Sequence, residues 1–479
     1  FALFKMGAVP IMIDPGMGWG PFMRCVRQAA PEAFLGVPMA HVLRLLFRRF
    51  FRSVRIPVTL GRRLFWGGST VQAFPACDTP YPVAPVAPDD GAAVLFTTGS
   101  TGPAKGVSYT HGVFSTHLEI LRRDYGIGPG DVDLPCFPLF GLFSTALGAT
   151  AIIPDMDPSR PAEVDPYRIV DPIVRLQVTY SFGSPTLWRR VGQYCREEDL
   201  RLPSLTRVIM AGAPVPGPVH EDLLTRVLPS TGETFTPYGA TEALPLTNFR
   251  GRDMIAETWQ ATREGAGMCV GTPLPDVTLR IIAATDDVIA TWQDVRLLPT
   301  GEIGEVVVRG PVVTQRYHNL PDATLLAKIQ DGGNVWHRMG DLGYLDASGR
   351  LWFCGRKAHR VDMGEQILYT ACCEAIFNEC PGVYRSALVG IGPNRHEQQP
   401  VIVIEPQEGC FPTTHEMRRC FAERALAVAA ANAQTRTIRH VLFHRSFPVD
   451  IRHNAKIRRE VLAVWAARRL RLVVRGVSA

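Results

Sequence analysis

The stretch that decides the fold is GAAVLFTTGSTGPAKGVSYTH, residues 91–111. Ala92 to Phe96 is a short apolar run of the kind that forms a buried strand. Behind it come Thr97, Thr98, Gly99, Ser100, Thr101, Gly102, Pro103, Ala104, Lys105 and Gly106. Such a loop has little to pack and much to donate. It offers free backbone N–H groups, short hydroxyls and one cation, which is the equipment of a phosphate-cradling nest. It is not a Walker loop, because the Gly-Lys-Ser/Thr ending at the required spacing is missing. A flexible surface loop is the plain alternative, and the lysine and the preceding strand count against it.

Lysine is scarce in this chain. Lys5, Lys105, Lys328, Lys357 and Lys456 are its only lysines, against a total of 51 Lys plus Arg. A lysine in that background is a compact, mobile point charge where arginine would supply a rigid fork. Lys105 in the glycine loop and Lys456 in NAKIRR, residues 454–459, therefore stand out.

The 479 residues, 46% hydrophobic and 20% charged, indicate a globular protein of more than one domain. Phe1 in place of an initiator methionine leads us to expect a natural start further upstream. No apolar run is long enough to span a bilayer. The 11 cysteines are scattered without a C-x-x-C pair, which favours reduced thiols in a cytoplasm over a zinc site or disulfide framework. The net charge of +6 is uneven: residues 411–479 carry 14 Arg plus Lys against 4 Asp plus Glu. No nucleic-acid motif accompanies this basic end, so an acidic partner or a polyphosphate is expected rather than nucleic acid.

Around the loop, strand-like runs alternate with helical patterns. Strands are expected at Ala8–Ile13, Ala149–Ile153, Val178–Phe182, Val208–Ala211 and Val306–Val308. That alternation indicates a mixed α/β fold of layered sheets. His41–Arg55 reads as one basic amphipathic helix with Leu43, Phe47, Phe50 and Val54 on its apolar side, flanking a sheet; a peripheral membrane contact is the lesser alternative. GRLWFCGRK, residues 349–357, reads as a hairpin turning at Gly349. Beyond it the pattern becomes shorter α+β: a helix near Ala371–Asn378, strands Ser386–Ile391 and Val401–Glu405, and a long helix from His415. The expected division is a large N-terminal domain, 1–355, and a small mobile C-terminal domain, 356–479.

Four further segments follow the glycine loop in order: AGAPVP at 211–216, YGATEALP at 238–245, HRMGDLGYLDASGRLWFCGRK at 337–357, and NAKIRR. Together the series resembles the adenylate-forming superfamily of acyl-CoA synthetases, luciferases and peptide-synthetase adenylation domains, across essentially the whole chain. The resemblance implies ATP and Mg²⁺ as cofactors. A carboxylate attacks the α-phosphate of ATP and leaves as an acyl-adenylate, a step that brings anions together and needs cations and N–H donors. By that resemblance Thr97, Thr98, Gly99, Ser100, Thr101, Gly102 and Lys105 hold the β- and γ-phosphates. Gly212, Ala213 and Pro214 border the adenine, and Tyr238, followed by Gly239, stacks on it. Thr241 touches the α-phosphate, Glu242 holds Mg²⁺, Asp341 accepts the ribose hydroxyls, and Arg356 fixes ribose and phosphate. Lys456 reaches the attacking carboxylate from the small domain.

In many relatives the second residue after the Arg356 equivalent is an Asp or Lys that serves as hinge for thioester formation. Here it is Ala358, which counts against a coenzyme A half-reaction. The segments FALFKMGAVPIMIDPGMG, DLPCFPLFGLF, AIIPDMDPSRPAEVDP, FTPYGATEALP and FCGRKAHRV more closely resemble the β-lactone synthetases of bacterial long-chain olefin biosynthesis. Those enzymes adenylate a 2-alkyl-3-hydroxy fatty acid, whose own hydroxyl then displaces AMP. Their product passes to a β-lactone decarboxylase, and other olefin-pathway enzymes are implied partners. Phe137, Phe140, Gly141 and Phe143 suit the wall of an apolar acyl pocket, or equally a buried helix start. His111 and His359 are candidates for the base that takes the hydroxyl proton. A fatty acyl-CoA synthetase, and a nucleotide-binding subunit without turnover, are the rival readings.

Overall fold

The structure is a computed structural model that describes residues 1–74, 79–97, 102–449 and 456–470. Its centre is a seven-stranded sheet. Strands Glu233–Ala240, Arg207–Met210, Tyr180–Gly183, Val132–Asp133 and Thr150–Ala151 lie parallel in that spatial order. Ala243–Arg250 and Thr272–Pro273 extend it antiparallel beyond Glu233–Ala240. Helices Tyr167–Leu176 and Pro185–Glu197 cover one face, with Ile169, Ile173, Leu187, Trp188 and Val191 fully buried beneath them. Pro185–Glu197 starts where sequence rules place a start: Ser184 caps Leu187 N–H at 3.3 Å and Pro185 occupies the first turn.

The other face packs on helix His111–Tyr125 and on a six-stranded sheet. That sheet runs Met268–Cys269, Leu351–Arg356, Asn334–Leu345, Gly304–Arg309, Thr278–Ile282, with Lys328–Asp331 paired to Asn334–Leu345. Val306, Val307 and Val308 are consecutive and all fully buried, as a strand covered on both faces requires. The glycine-loop strand, Gly91–Phe96, lies between Ile11–Met12 and Gly106–Thr110 in a separate three-stranded sheet. Two hydrophobic clusters within residues 361–470 are built from strands Val383–Ile391, Gln399–Pro406 and His440–Phe443 and helices Thr370–Asn378, His415–Ala430 and Arg459–Arg469.

Several expectations hold closely. Gly349 turns the Asn334–Leu345/Leu351–Arg356 hairpin at φ +76°, and His415 opens its helix behind the Thr414 cap. Two do not. The basic helix runs only Pro38–Leu46, followed by a tight turn at Arg48–Phe50 and a strand, Ile56–Thr59. The packing of Phe47, Phe50 and Val54 around Phe51 and Met23 pulls the chain out of the helix earlier than its periodicity suggests. The expected strand Ala8–Ile13 shortens to Ile11–Met12, because only that pair finds register with Val94 and Leu95. All ten cysteines among the described residues are free thiols. No helix of the described residues is long and apolar enough to cross a membrane.

Candidate active site

The site forms where the large sheets end against one another. The parallel strands Arg207–Met210 and Glu233–Ala240 run side by side, with Ile209 opposite Phe235. Their carboxyl ends carry the segment Gly212, Ala213, Pro214 and the residues Tyr238 and Gly239, at the edge where open α/β sheets bind ligands. Gly212 takes φ +95°, which admits the turn away from the strand. At Gly239 a Cβ would lie 2.6 Å from the Ala243 carbonyl oxygen, so only glycine lets the hairpin close and present Thr241 and Glu242 at its tip.

Asp341 is buried on the long strand opposite Arg356. Its Oδ1 accepts from the Arg356 guanidinium at 2.6 Å and its Oδ2 from the Tyr238 hydroxyl at 2.6 Å. Asp341 foremost holds the Arg356 pKa up, against burial, and burial foremost raises that of Tyr238. Three of the residues singled out in the sequence are thus joined directly. The carboxylate is fixed by two donors, leaving its remaining lone pairs for a vicinal diol.

A second knot surrounds Glu242. Its Oε1 accepts from the Tyr317 hydroxyl at 2.6 Å, and its backbone carbonyl accepts from the Thr314 N–H at 3.0 Å and hydroxyl at 2.9 Å. The Thr241 carbonyl accepts from the Tyr109 hydroxyl at 2.5 Å. The Lys105 ammonium stands 4.9 Å over the Tyr317 ring. Buried Lys328 donates to the Thr314 carbonyl, and burial lowers its pKa to about 7, against the pull of Glu242. His337 is opposite Lys328 in register and is held well below its usual pKa, by burial first and then by Lys328. No described residue bonds Glu242 Oε2. One open carboxylate oxygen near the Lys105 ammonium suits Mg²⁺, which binds through one or two carboxylates and substrate phosphates. Among the described residues no cluster of three or more His, Cys, Asp or Glu could hold a metal by itself.

Thr97 accepts from the Lys105 N–H at 3.1 Å through its hydroxyl and donates its own N–H to the Lys105 carbonyl at 3.0 Å. Both ends of the glycine loop are thereby pinned. Thr98, Gly99, Ser100 and Thr101 lie outside the described residues, as do Asn454 and Ala455. Lys456 opens the segment whose Ile457 bridges Val449 and whose Arg459 pairs with Glu374 at 2.7 Å.

The aromatic segment forms a tight turn, Pro138–Phe140, and then helix Gly141–Ala146. Gly141 is buried; a Cβ there would sit 3.3 Å from Pro135 and 3.4 Å from Ala151. Phe137, Phe140 and Phe143 are half-buried, with adjacent rings 5.8 and 5.9 Å apart, and Phe140 stacks on Phe182 at 3.8 Å. Phe143 continues the wall to Phe114 at 5.9 Å and His117 at 5.8 Å. Of the two histidines chosen from sequence, His359 is engaged with Glu460 at 3.1 Å, and His111 sets its ring edge against Phe4 at 6.4 Å. Sequence reasoning missed Tyr109, Thr314, Tyr317 and Lys328. Lysine scarcity was a signal for Lys328; the others carry none locally.

The sequence model of the family described as "AMP-binding enzyme" matches residues 1–318. Two curated relatives, from Stenotrophomonas maltophilia and Xanthomonas campestris, are named olefin beta-lactone synthetase. Each is 47% identical over 98% of this chain, covering 84% and 83% of their own lengths. The amide bond synthetase McbA of Marinactinospora thermotolerans superimposes with a TM-score of 0.78 at 23% identity, over 97% of this chain and 86% of that one. The O-succinylbenzoate coenzyme A synthetase of Bacillus subtilis, solved with ATP and magnesium, gives 0.72 at 19%, over 96% and 85%. These two likenesses concern the fold.

Proposed function

The chain belongs to the AMP-binding enzyme family, and from that premise we propose that it is an ATP-dependent β-lactone synthetase acting on long-chain 2-alkyl-3-hydroxy acids. The observation that carries the reading is 47% identity over 98% of the chain to enzymes named for that reaction. The geometry is consistent with it: a diol-accepting carboxylate, a cation beside a phosphate loop and an aromatic wall converge on one hairpin.

In this reading Asp341 accepts the ribose hydroxyls of ATP, and Gly212, Ala213, Pro214 and Tyr238 border its base. Lys105 and the loop Thr97–Gly102 hold the terminal phosphates. Thr241 and Lys456 meet the α-phosphate and the attacking carboxylate, and Arg356 fixes ribose and phosphate. Glu242 would hold Mg²⁺, which supplies neutralisation of phosphate charge. The carboxylate oxygen attacks the α-phosphorus, pyrophosphate leaves, and the acyl-adenylate lies along Phe137, Phe140, Gly141 and Phe143. The 3-hydroxyl then attacks the activated carbonyl, the bond to AMP breaks, and a four-membered ring closes. An internal nucleophile needs no docking second substrate, and its effective concentration is very high. Residues 1–355 act as the nucleotide- and acyl-binding unit, and 356–479 as the smaller unit delivering Lys456. A decarboxylase that consumes the strained lactone is the expected partner.

The test is product analysis by mass spectrometry from a 2-alkyl-3-hydroxy acid, ATP and Mg²⁺, with and without coenzyme A. AMP and β-lactone are expected in equal amounts, unaffected by coenzyme A. An acyl-CoA formed at a comparable rate would establish the thioester-forming alternative instead.

A further inference from the structure

Ring closure needs an acceptor for the hydroxyl proton, and the residues assigned so far supply none on the acyl side. His117 lies there. It sits on helix His111–Tyr125 and is 6% exposed. Its ring meets Phe143 at 5.8 Å, Tyr109 at 6.0 Å and Phe114 at 6.1 Å. Phe143 belongs to the aromatic wall, while Tyr109 bonds the Thr241 carbonyl. His117 therefore stands between the acyl wall and the hairpin that carries Thr241 and Glu242. Its Nε2 is buried without a hydrogen-bond partner. A buried polar nitrogen among three aromatic rings is costly unless something bonds it. A substrate hydroxyl carried along the wall would do so.

The other buried histidines with an orphan nitrogen do not fit this place. His220 is bound through Nδ1 to Thr234 at 2.7 Å in the core. His41 bonds Val58 and stacks on Trp66 at 5.4 Å in the N-terminal sheet. His337 lies on the cationic side, where Lys328, Lys105 and Arg356 all bear on it.

We propose that His117 is the catalytic base of ring closure, its Nε2 binding the 3-hydroxyl of the acyl-adenylate and taking its proton. This rests on the β-lactone synthetase reading and names the group that reading leaves open. The hydroxyl oxygen's lone pair forms the new C–O bond to the acyl carbon. The bond from that carbon to the AMP phosphate oxygen breaks, and its electron pair leaves with AMP. The hydroxyl proton passes to Nε2 and from there to the departing phosphate or water.

Burial lowers the His117 pKa to about 4, set against the neighbouring Leu244 backbone. The ring is neutral at neutral pH, so Nε2 is free to accept when Nδ1 carries the hydrogen. A weak base suffices here. The hydroxyl becomes a strong acid only as its oxygen bonds to the acyl carbon, and a weakly basic ring does not keep the proton afterwards.

The experiment compares His117→Gln, His117→Phe and His117→Ala with wild type on two acids, one with the 3-hydroxyl and one without it. Acyl-adenylate is trapped with hydroxylamine and lactone is followed by mass spectrometry. Melting curves select the variants that fold; Phe keeps the ring volume where Gln does not. Expected are adenylation rates within about threefold of wild type on both acids and lactone formation reduced about 100-fold or more, the usual scale for a lost base. Adenylate should accumulate, and added imidazole should partly restore closure in His117→Ala. Unchanged lactone rates in a folded variant overturn the proposal. So does an equal fall in adenylation and closure, which marks a packing role. If wild type itself forms adenylate but no lactone, the parent reading fails and this one with it.

Discussion

Asp341 shows how a single side chain is prepared for a ligand. A lone carboxylate 4% exposed would be costly, and two donors at 2.6 Å satisfy and orient it. Asp341→Ala should therefore weaken ATP about tenfold or more, the scale of a lost hydrogen bond to a charged group. Isothermal titration with ATP measures it; unchanged affinity would move the nucleotide elsewhere. Glu242→Ala should act differently, raising the Mg²⁺ concentration needed for half-maximal pyrophosphate release while affinity for metal-free ATP stays close to wild type. For Lys456→Ala we expect steeply slower pyrophosphate release with ATP binding little changed. Near-normal turnover would remove Lys456 from the chemistry.

At the scale of elements, the sequence marks candidate charges but not what holds them. Lys105, Asp341 and Arg356 stand out in sequence because they fall in the ordered segments that resemble the family. Tyr317 was not. It reaches Glu242 because Val107 bridges Tyr317, a pairing between residues 210 positions apart that no local periodicity records. His117 likewise reads as one more residue of an amphipathic helix until Phe143 is packed against it. The helix His41–Arg55 is longer in expectation than in the fold because apolar spacing at Phe47, Phe50 and Val54 fits a helix and a compact turn equally well.

The helix that carries Phe143 makes its own prediction. Asp133, on a strand of the central sheet, accepts from Ser144 of that helix, and its Oδ1 has no partner. Burial, only partly offset by Ser144, raises its pKa to about 7. Between the unfolded value of 3.8 and about 7 the folded state holds a proton that the unfolded state has lost. Asp133 thus favours folding most below pH 3.8 and loses that contribution as pH rises to about 7. Asp133→Asn should gain stability relative to wild type over that range and then level off, by up to about 4 kcal/mol at 1.36 kcal/mol per unit. Denaturant melts at several pH values test this; a pH-independent difference would show that the carboxyl is not protonated in the folded protein.

Across the whole molecule, the segment around Ala358 is tied down on both sides. Lys357 donates to the Thr285 carbonyl at 2.6 Å and to buried Glu305 at 3.1 Å. Asp286 draws three cations: Arg395 at 3.5 Å, Arg360 at 3.6 Å and Lys357 at 3.6 Å. Burial raises the Asp286 pKa, and these three cations outweigh it and pull it below the usual carboxylate value. Arg395 comes from beyond strand Val383–Ile391, so Asp286 links the large sheet region to the C-terminal one. Asn432 adds a bond to the Glu264 carbonyl at 2.9 Å, and Arg263 pairs with Glu379. An enzyme that closes a ring from within its own adenylate has little use for a wide rotation here, and these ties would resist one. Asp286→Ala tests them. Because Asp286 is about half exposed, with 47% side-chain accessibility, its loss should cost no more than about 1 kcal/mol in stability. The larger effect should be local: faster proteolysis between residues 356 and 361, and lactone formation that becomes less sensitive to added salt because the screened pairs are gone. Equal proteolysis rates in variant and wild type would mean that Glu305 and the Thr285 carbonyl alone hold the segment, and the double variant Asp286→Ala with Lys357→Met would then be needed to release it.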